Sequence, residues 1–360
     1  MSGGAGGTGS AASRFCAVTP PPPDLTTRLH ALAALGDYVR AEPELLGAYV
    51  QRTAHHNAWF TPDNQWRMLR AIAADYLDAE KLSAWAAGYD LDTPATPRTV
   101  GLVLAGNLPL VGFHDWLCVL VAGHVAQVKL SDKDPYLLPH LAERLGEIEP
   151  ALAAATRFVD RLAGFDAVIA TGSDNSARYF ERYFGGTPHV IRGNRVSVAV
   201  LHGDESEAAL AALADDCFAY FGLGCRSVGK AYVPRGYELR PLLDALHEHR
   251  HLANHPKWKN NYDYNYALLT INKEPFLATG AMLVREDGAL HSRLATLHVE
   301  RYDDLADLAI DLHGERDRLQ AVVSARDVPG MATVRPGEGH RPGLADYADE
   351  VDTLAFLAGL

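Results

Sequence analysis

From Asp24 to about Gly88 the apolar residues recur at three- and four-residue spacing, in "DLTTRLHALAALGDYVR" and again in "DNQWRMLRAIAADYLDAEKLSAWA", which predicts amphipathic helices. Thr61, Pro62 and Asp63 supply a helix start between them, and "HHNAWF" just before offers aromatic side chains for packing. At Arg98 the period changes. "RTVGLVLAGNLPLVG" reads as a buried strand running into a Gly-Asn-Leu-Pro turn, "FHDWLCVLVAGH" as a helix and "VAQVKLS" as a second strand. That order is a βαβ unit, which builds parallel sheets with binding sites beyond the strand ends. A helix in "PYLLPHLAERLGEI", an alanine-rich segment and a strand "DAVIATGS" entering another helix follow, and "HVIRGNRVSVAVLHGDES" adds two strands around Gly-Asn. Residues 98 to about 190 are therefore expected to form an open, doubly wound nucleotide-type sheet.

A second lobe is expected from Val196, with a helix in "ESEAALAALADDCFAYFG", a glycine-rich turn, the strand "KAYVP" and the helix "ELRPLLDALHEHR". The expected division is a flexible tail and proline spacer over 1–23, helices and dinucleotide domain over 24–195, and a catalytic domain over 196–335. The closing segment, 336–360, ends in an apolar stripe suited to docking back on the body.

With 360 residues and 48% hydrophobic content, the chain can bury a core of real size. A net charge of −12 argues against nucleic acid or an anionic membrane as partner, though it leaves room for a local basic pocket. The longest apolar run, "WLCVLVAGHVAQV", is too short to span a bilayer and is interrupted by His124 and Gln127. The start lacks the layout of a signal peptide. Cys16, Cys118, Cys217 and Cys225 show neither C-x-x-C nor zinc-type spacing, so a reducing, cytoplasmic setting without a metal site is expected.

Cys225 carries the candidate chemistry. A cysteine after a helix is most often a small buried hydrophobe. Here Gly222, Gly224 and Gly229 allow close approach to the sulfur, and Arg226 adds a field that favours thiolate. A thiolate can attack a carbonyl, with the backbone N–H of the same residue helping to hold the oxyanion. Cys118 and Cys217 sit in apolar helical runs and read as core. Asn107, at the end of a buried strand, can donate its amide to an oxyanion or stabilise its own turn. Lys129, at a strand end, suits ribose hydroxyls or a phosphate, or is simply a solvated lysine.

Taken in order, these pieces resemble the aldehyde dehydrogenase superfamily, and within it the LuxC-type acyl-CoA reductases. "VGLVLAGNLPLVG" is similar to the superfamily's strand and Trp-Asn-x-Pro turn, with Gly106 where Trp is common. "VLVAGHVAQVKLSDKD", "ATGSDNSARYF" and "FGLGCRSVGKAYVP" resemble its lysine segment, its Thr-Gly-Ser turn and its cysteine loop, while "NNYDYNYA" and "DYADEVDTLAFL" resemble the LuxC branch. The resemblance spans roughly residues 50–360. It implies an aldehyde-dehydrogenase-like α/β fold, a Rossmann-type cofactor domain beside an α/β catalytic domain carrying the cysteine. It also implies Cys225 as nucleophile, Asn107 and the Cys225 N–H as oxyanion hole, Lys129 and Ser131 at the adenosine ribose, and Gly172 and Ser173 at the pyrophosphate. Glu286 is the candidate for the nicotinamide ribose, at the expense of a gap; an ungapped match places His291 there.

Where the oxidising enzymes carry a general-base Glu in Glu-Leu-Gly-Gly-Lys, "HVIRGNR" has Ile191. Without that base an acyl-enzyme is spared hydrolysis, which suits a reductase. The expected activity is NADPH-dependent reduction of a fatty acyl-CoA or acyl-protein thioester to the aldehyde through S-acyl-Cys225, with NADH as the other cofactor option. Arg226 either helps ionise the cysteine or pairs with an acid. The alternatives are a redox-free cysteine acyltransferase or thioesterase, and a non-catalytic cofactor-binding relative. A homo-oligomer remains open.

Overall fold

The computed structural model describes residues 22–91 and 96–360; Cys16, the expected tail and most of the proline spacer lie outside the described residues. It opens with helices α1 (Leu25–Arg40), α2 (Glu44–His56), α3 (Pro62–Ala71) and α4 (Ala79–Ala86). Asp24, Thr61 and Asp78 accept first-turn backbone N–H groups and so start α1, α3 and α4. The periodic stretch after Thr61 is not one helix. Beyond α3 it widens into a π-turn at Ile72–Tyr76, and Asp78 restarts it as α4.

The first sheet is built by β1 (Thr99–Val103), α5 (Phe113–Val121), β2 (Val125–Lys129), α6 (Leu137–Ile148), β3 (Thr156–Phe158), β4 (Ala167–Thr171), α7 (Asp174–Phe184) and β5 (His189–Arg192). Its five strands are parallel, in the order β3-β2-β1-β4-β5. The alanine-rich segment yields a 3₁₀ turn at Pro150–Ala155 and the edge strand β3, which the apolar pattern did not announce. Val100, Leu102, Val128, Val168 and Ile169 are buried, as required of strands covered by helices on both faces. Val103 lies opposite both Lys129 and Ala170, so the ends of β2, β1 and β4 form one edge. The strand order turns between β1 and β4, where parallel sheets open a crevice for ligands.

Gly193, Asn194 and Arg195 alone join β5 to β6 (Val196–Val200), so the C-terminal edge of the first sheet meets the N-terminal edge of the second. The second sheet continues through α8 (Glu207–Phe218), β7 (Val228–Pro234), α9 (Arg240–His247), α10 (Pro256–Asn272), β8 (Leu277–Ala278), β9 (Leu283–Glu286), β10 (Thr296–Tyr302), α11 (Leu305–Gly314), β11 (Leu319–Ser324) and β12 (Thr333–Val334). Its order is β12-β11-β6-β7-β10-β9-β8, parallel except where β8 meets β9. Finally α12 (Thr353–Ala358) returns to the first sheet, burying Leu354 and Leu357 in the core built on α1 and α5. Among the described residues no helix is long and apolar enough to cross a membrane.

The helix expected to run through Gly222 ends at Phe218. Tyr220 and Phe221 adopt left-handed backbone, with φ of 52° and 57°, and Gly222 follows at 63°. Such strain costs about 1–3 kcal/mol per bulky residue. Burial of both rings offsets it: Tyr220 meets His340 edge-on, and Phe221 packs on Trp59 and His255. The reversal carries the next residues into the seam between the sheets.

One buried ion pair ties that seam. Arg192, at the end of β5, donates from Nη1 to both carboxylate oxygens of Asp115 on α5 at 2.7 Å and from Nη2 to Thr353 Oγ1 of α12 at 2.7 Å. The side chains are 4% and 8% exposed. Asp115→Ala would strand the Arg192 charge, and urea unfolding is expected to show a loss of about 3–5 kcal/mol.

Candidate active site

The loop from Gly222 to Val228 crosses from α8 to β7 on the N-terminal edge of the second sheet. Gly224 N–H donates to Ser227 Oγ at 3.3 Å, Ser227 N–H donates to the Gly224 carbonyl at 3.0 Å, and Ser197 Oγ donates to the Cys225 carbonyl at 2.9 Å. These bonds fix the backbone and leave the half-buried Cys225 side chain toward the seam. A Cβ on Gly224 would press Leu108 at 3.0 Å, so the turn after β1 lies directly on this loop.

Asn107 makes that junction polar. Its Nδ2 donates to the Leu223 carbonyl at 2.9 Å, two residues before the cysteine, and the second N–H of the amide is left for another acceptor. The Asn107 turn is strained, with Leu110 at φ 55°. Asp134 holds it: Oδ2 accepts Leu110 N–H at 2.7 Å, while Oδ1 is buried without a partner. Burial pushes the Asp134 carboxyl up to about 6. Sequence reasoning passed over Asp134, although it stands three residues after Ser131 in the segment singled out for cofactor binding.

Lys129 ends β2 with Ser131 just beyond it, and Gly172 and Ser173 follow directly on β4, all at the crevice edge of the first sheet. Lys129 is exposed. Ser173 caps α7 by accepting Ser176 N–H at 3.4 Å. Gly106 has a local reason: a Cβ there would sit 2.2 Å from Ser131 Oγ, so this geometry leaves no room for the superfamily's Trp. An ammonium group, hydroxyls and a helix start on one edge are a donor set that fits an anionic, hydroxyl-bearing dinucleotide.

Glu286 is not brought to this place. It ends β9, level with Val299 and hence with Ala231, midway along β10 and β7, whereas Cys225 lies before the first residue of β7. Its carboxylate is bound to Arg301 at 2.8 Å. The ungapped candidate His291 instead lines a hollow with Asn194, Ser227 and Arg293 beside the cysteine loop, and Ser292 Oγ lies 2.8 Å from where a Gly229 Cβ would stand. Of the two candidates, His291 is the one that lies beside the cysteine loop.

On its other side Cys225 opens into a cavity of about 180 Å³. Met68, Ile72, Leu108 and Val111 give it an apolar wall, and Asp115, Arg192, Arg226 and Asp349 a charged end. The π-turn that carries Ile72 contributes here, in keeping with the frequency of such turns at functional sites. Burial pushes the Cys225 thiol up; Arg226 pulls it down by less, and Asp349 adds to the rise. The field expected of Arg226 thus exists but loses to desolvation. Arg226 bonds the Asp346 carbonyl at 3.3 Å. His340, also on the cavity, is pushed down to about 4 by burial. Cys118 and Cys217 are core residues. Among the described residues no group of three or more His, Cys, Asp or Glu could hold a metal ion.

The family model for acyl-CoA reductase (LuxC) matches residues 83–256, which hold the Asn107 turn, the crevice edge and the cysteine loop. The LuxC resemblance is borne out. The LuxC-like chain also shares its fold with aldehyde dehydrogenases. An NAD-dependent benzaldehyde dehydrogenase from Corynebacterium glutamicum aligns with a TM-score of 0.63 at 15% identity, covering 84% of this chain and 76% of that one. A cysteine-to-alanine mutant of P. syringae indole-3-acetaldehyde dehydrogenase AldA, in complex with NAD+ and IAA, aligns at 0.61 with 16% identity over 83% and 72%. Lactaldehyde dehydrogenase from Escherichia coli aligns at 0.61 with 14% identity over 83% and 74%. No curated protein matches the sequence.

Asp134 has a pH signature. Its folded pKa lies above the ordinary 3.8, so the folded state holds the proton more tightly, and stability rises as pH falls from about 6 to 4. This contribution, about 3 kcal/mol by linkage, is lost as pH climbs through 6. Asp134→Asn should flatten the curve, read as the difference between wild-type and variant urea midpoints at pH 4, 5 and 7.

Proposed function

We propose that this LuxC-like protein reduces an acyl thioester, carried on CoA or on a carrier protein, to the aldehyde at the expense of NADPH, with NADH as the other option. One observation carries the reading most directly: Asn107 reaches across the seam to the cysteine loop, so a nucleophile and an oxyanion donor from different lobes share one place. Cys225 Sγ attacks the thioester carbon. The oxyanion that forms is held by the second Asn107 N–H and the Cys225 backbone N–H, donors already oriented before the charge appears. The carrier thiol leaves, and the acyl group remains on Sγ with its chain along Met68, Ile72, Leu108 and Val111.

A bound nicotinamide dinucleotide supplies the hydride. Lys129, Ser131, Gly172 and Ser173 would hold its adenosine and pyrophosphate, and His291, rather than Glu286, is the residue near its ribose. Ile191 stands where a water-activating carboxylate would be, so the S-acyl enzyme meets no general base for water at that position. The same Asn107 and Cys225 N–H groups then hold the thiohemiacetal oxyanion until it collapses to aldehyde and Cys225 thiolate. The AldA neighbour, solved with NAD+, supports a nicotinamide at this fold position.

Intact-mass spectrometry after mixing with acyl-CoA, before and after NADPH, tests the proposal. Wild type is expected to gain an acyl adduct that NADPH discharges as aldehyde. Cys225→Ala should gain none, and Asn107→Ala should acylate about 100- to 1000-fold more slowly. An adduct that NADPH leaves in place would point to the redox-free acyltransferase.

A further inference from the structure

Burial leaves Cys225 a poor acid, and the position that carries a general base in oxidising relatives holds Ile191. The thiol proton therefore needs another acceptor. The cavity offers few. Asp115 has both oxygens on Arg192, and Asp75, on the outer wall, is held by Lys81 and Arg341 at 2.9 Å each. Asp346 is exposed, and its Oδ2 accepts the Gly343 N–H at 2.7 Å. His114 donates from Nε2 to the Leu344 carbonyl at 2.9 Å, with Cys118 Sγ 3.9 Å from its Nδ1. His340 donates from Nε2 to the Asp216 carbonyl at 3.2 Å, while burial pushes the phenols of Tyr76 and Tyr220 up, so both stay protonated.

Asp349 differs from all of these. It lines the cavity with Cys225, and its charge acts on that thiol. Its backbone is left-handed, φ 58°, and so is that of Glu350, a strained pair of ordinary residues of the kind that collects at functional sites. Arg195 maintains the strain, with Nε 3.3 Å from Asp349 Oδ1 and Nη2 donating to the Asp349 carbonyl at 3.2 Å. The side chain is only 14% exposed, and among the described residues Oδ2 has no hydrogen-bond partner. Burial raises the carboxyl despite Arg195 and Arg192, which makes it a stronger base than a surface aspartate.

We propose that Asp349 is the general base and acid of the acylation step. As the Sγ–C bond forms, the Cys225 proton passes to Asp349 Oδ2. As the carrier C–S bond breaks, the same proton passes to the departing sulfur, so the carrier leaves as a thiol and Asp349 returns to carboxylate. Cys225, released as thiolate when the aldehyde departs, takes its proton back from solvent, which accounts for the one proton consumed per turnover. The assignment rests on the thioester reading above, and the C-terminal segment thereby becomes part of the site.

Asp349→Asn tests it, since Asn keeps the shape and tolerates left-handed backbone. Acylation by an acyl-CoA should slow about 100-fold and lose its acidic limb in a pH profile, with the melting temperature close to wild type. The adduct's lifetime without NADPH should not change; a longer-lived adduct would mean that Asp349 activates water, and would overturn the assignment. Unchanged acylation would overturn it as well. Iodoacetamide alkylation of Cys225 against pH needs no thioester. Removing the Asp349 charge should lower the apparent Cys225 pKa, and an unchanged value would place the carboxylate too far away to act. If wild type is never acylated, the thioester reading fails, while the alkylation profile still decides whether Asp349 governs the Cys225 proton.

Discussion

The Arg192–Asp115 pair is the interaction on which the seam depends. Arg192 sits four residues before the second sheet begins, Asp115 in the first turn of the helix that follows the Asn107 turn, and Thr353 on the returning C-terminal helix. A buried pair of this kind returns little net energy, because desolvation consumes most of its attraction. Its value is geometric. The Arg192 guanidinium ties β5, α5 and α12 at one point, Nη1 on Asp115 and Nη2 on Thr353.

The same burial shapes the chemistry. The burial that encloses the cavity beside Cys225 also raises the cost of a thiolate there. Arg226 recovers part of this, but its guanidinium bonds a backbone carbonyl rather than the sulfur. Asp349, on strained left-handed backbone, lines the same cavity and brings a carboxylate to it. Asp134 plays the parallel part for the electrophile's side, holding Leu110 in a left-handed turn so that Asn107 reaches the Leu223 carbonyl.

Much of this was legible in the chain. Continuous apolar runs ending in Gly-Asn, Lys-Leu-Ser and Thr-Gly-Ser identify parallel strands that finish on one edge, because burial on both faces leaves no polar alternation and because loops at strand ends carry the chemistry. The glycines around Gly-Cys-Arg-Ser likewise announce the turn that the structure shows, with Gly222 at φ 63° and Gly224 packed on Leu108.

What the sequence could not decide depended on long-range contact. The sign of the Cys225 shift required knowing how deeply the loop is buried, since Arg226 alone argues the opposite way. Glu286 and His291 part company because strand register, set by pairing with β10, holds Glu286 midway along the sheet while His291 lies in the loop before β10, beside the cysteine loop. The helix through Gly222 broke because Tyr220 and Phe221 find separate pockets that helical backbone cannot reach at once. Local periodicity and turn chemistry are written in neighbouring residues. Burial, register and the meeting of Asn107, Asp349 and Cys225 come from parts of the chain more than a hundred residues apart, and only folding brings those together.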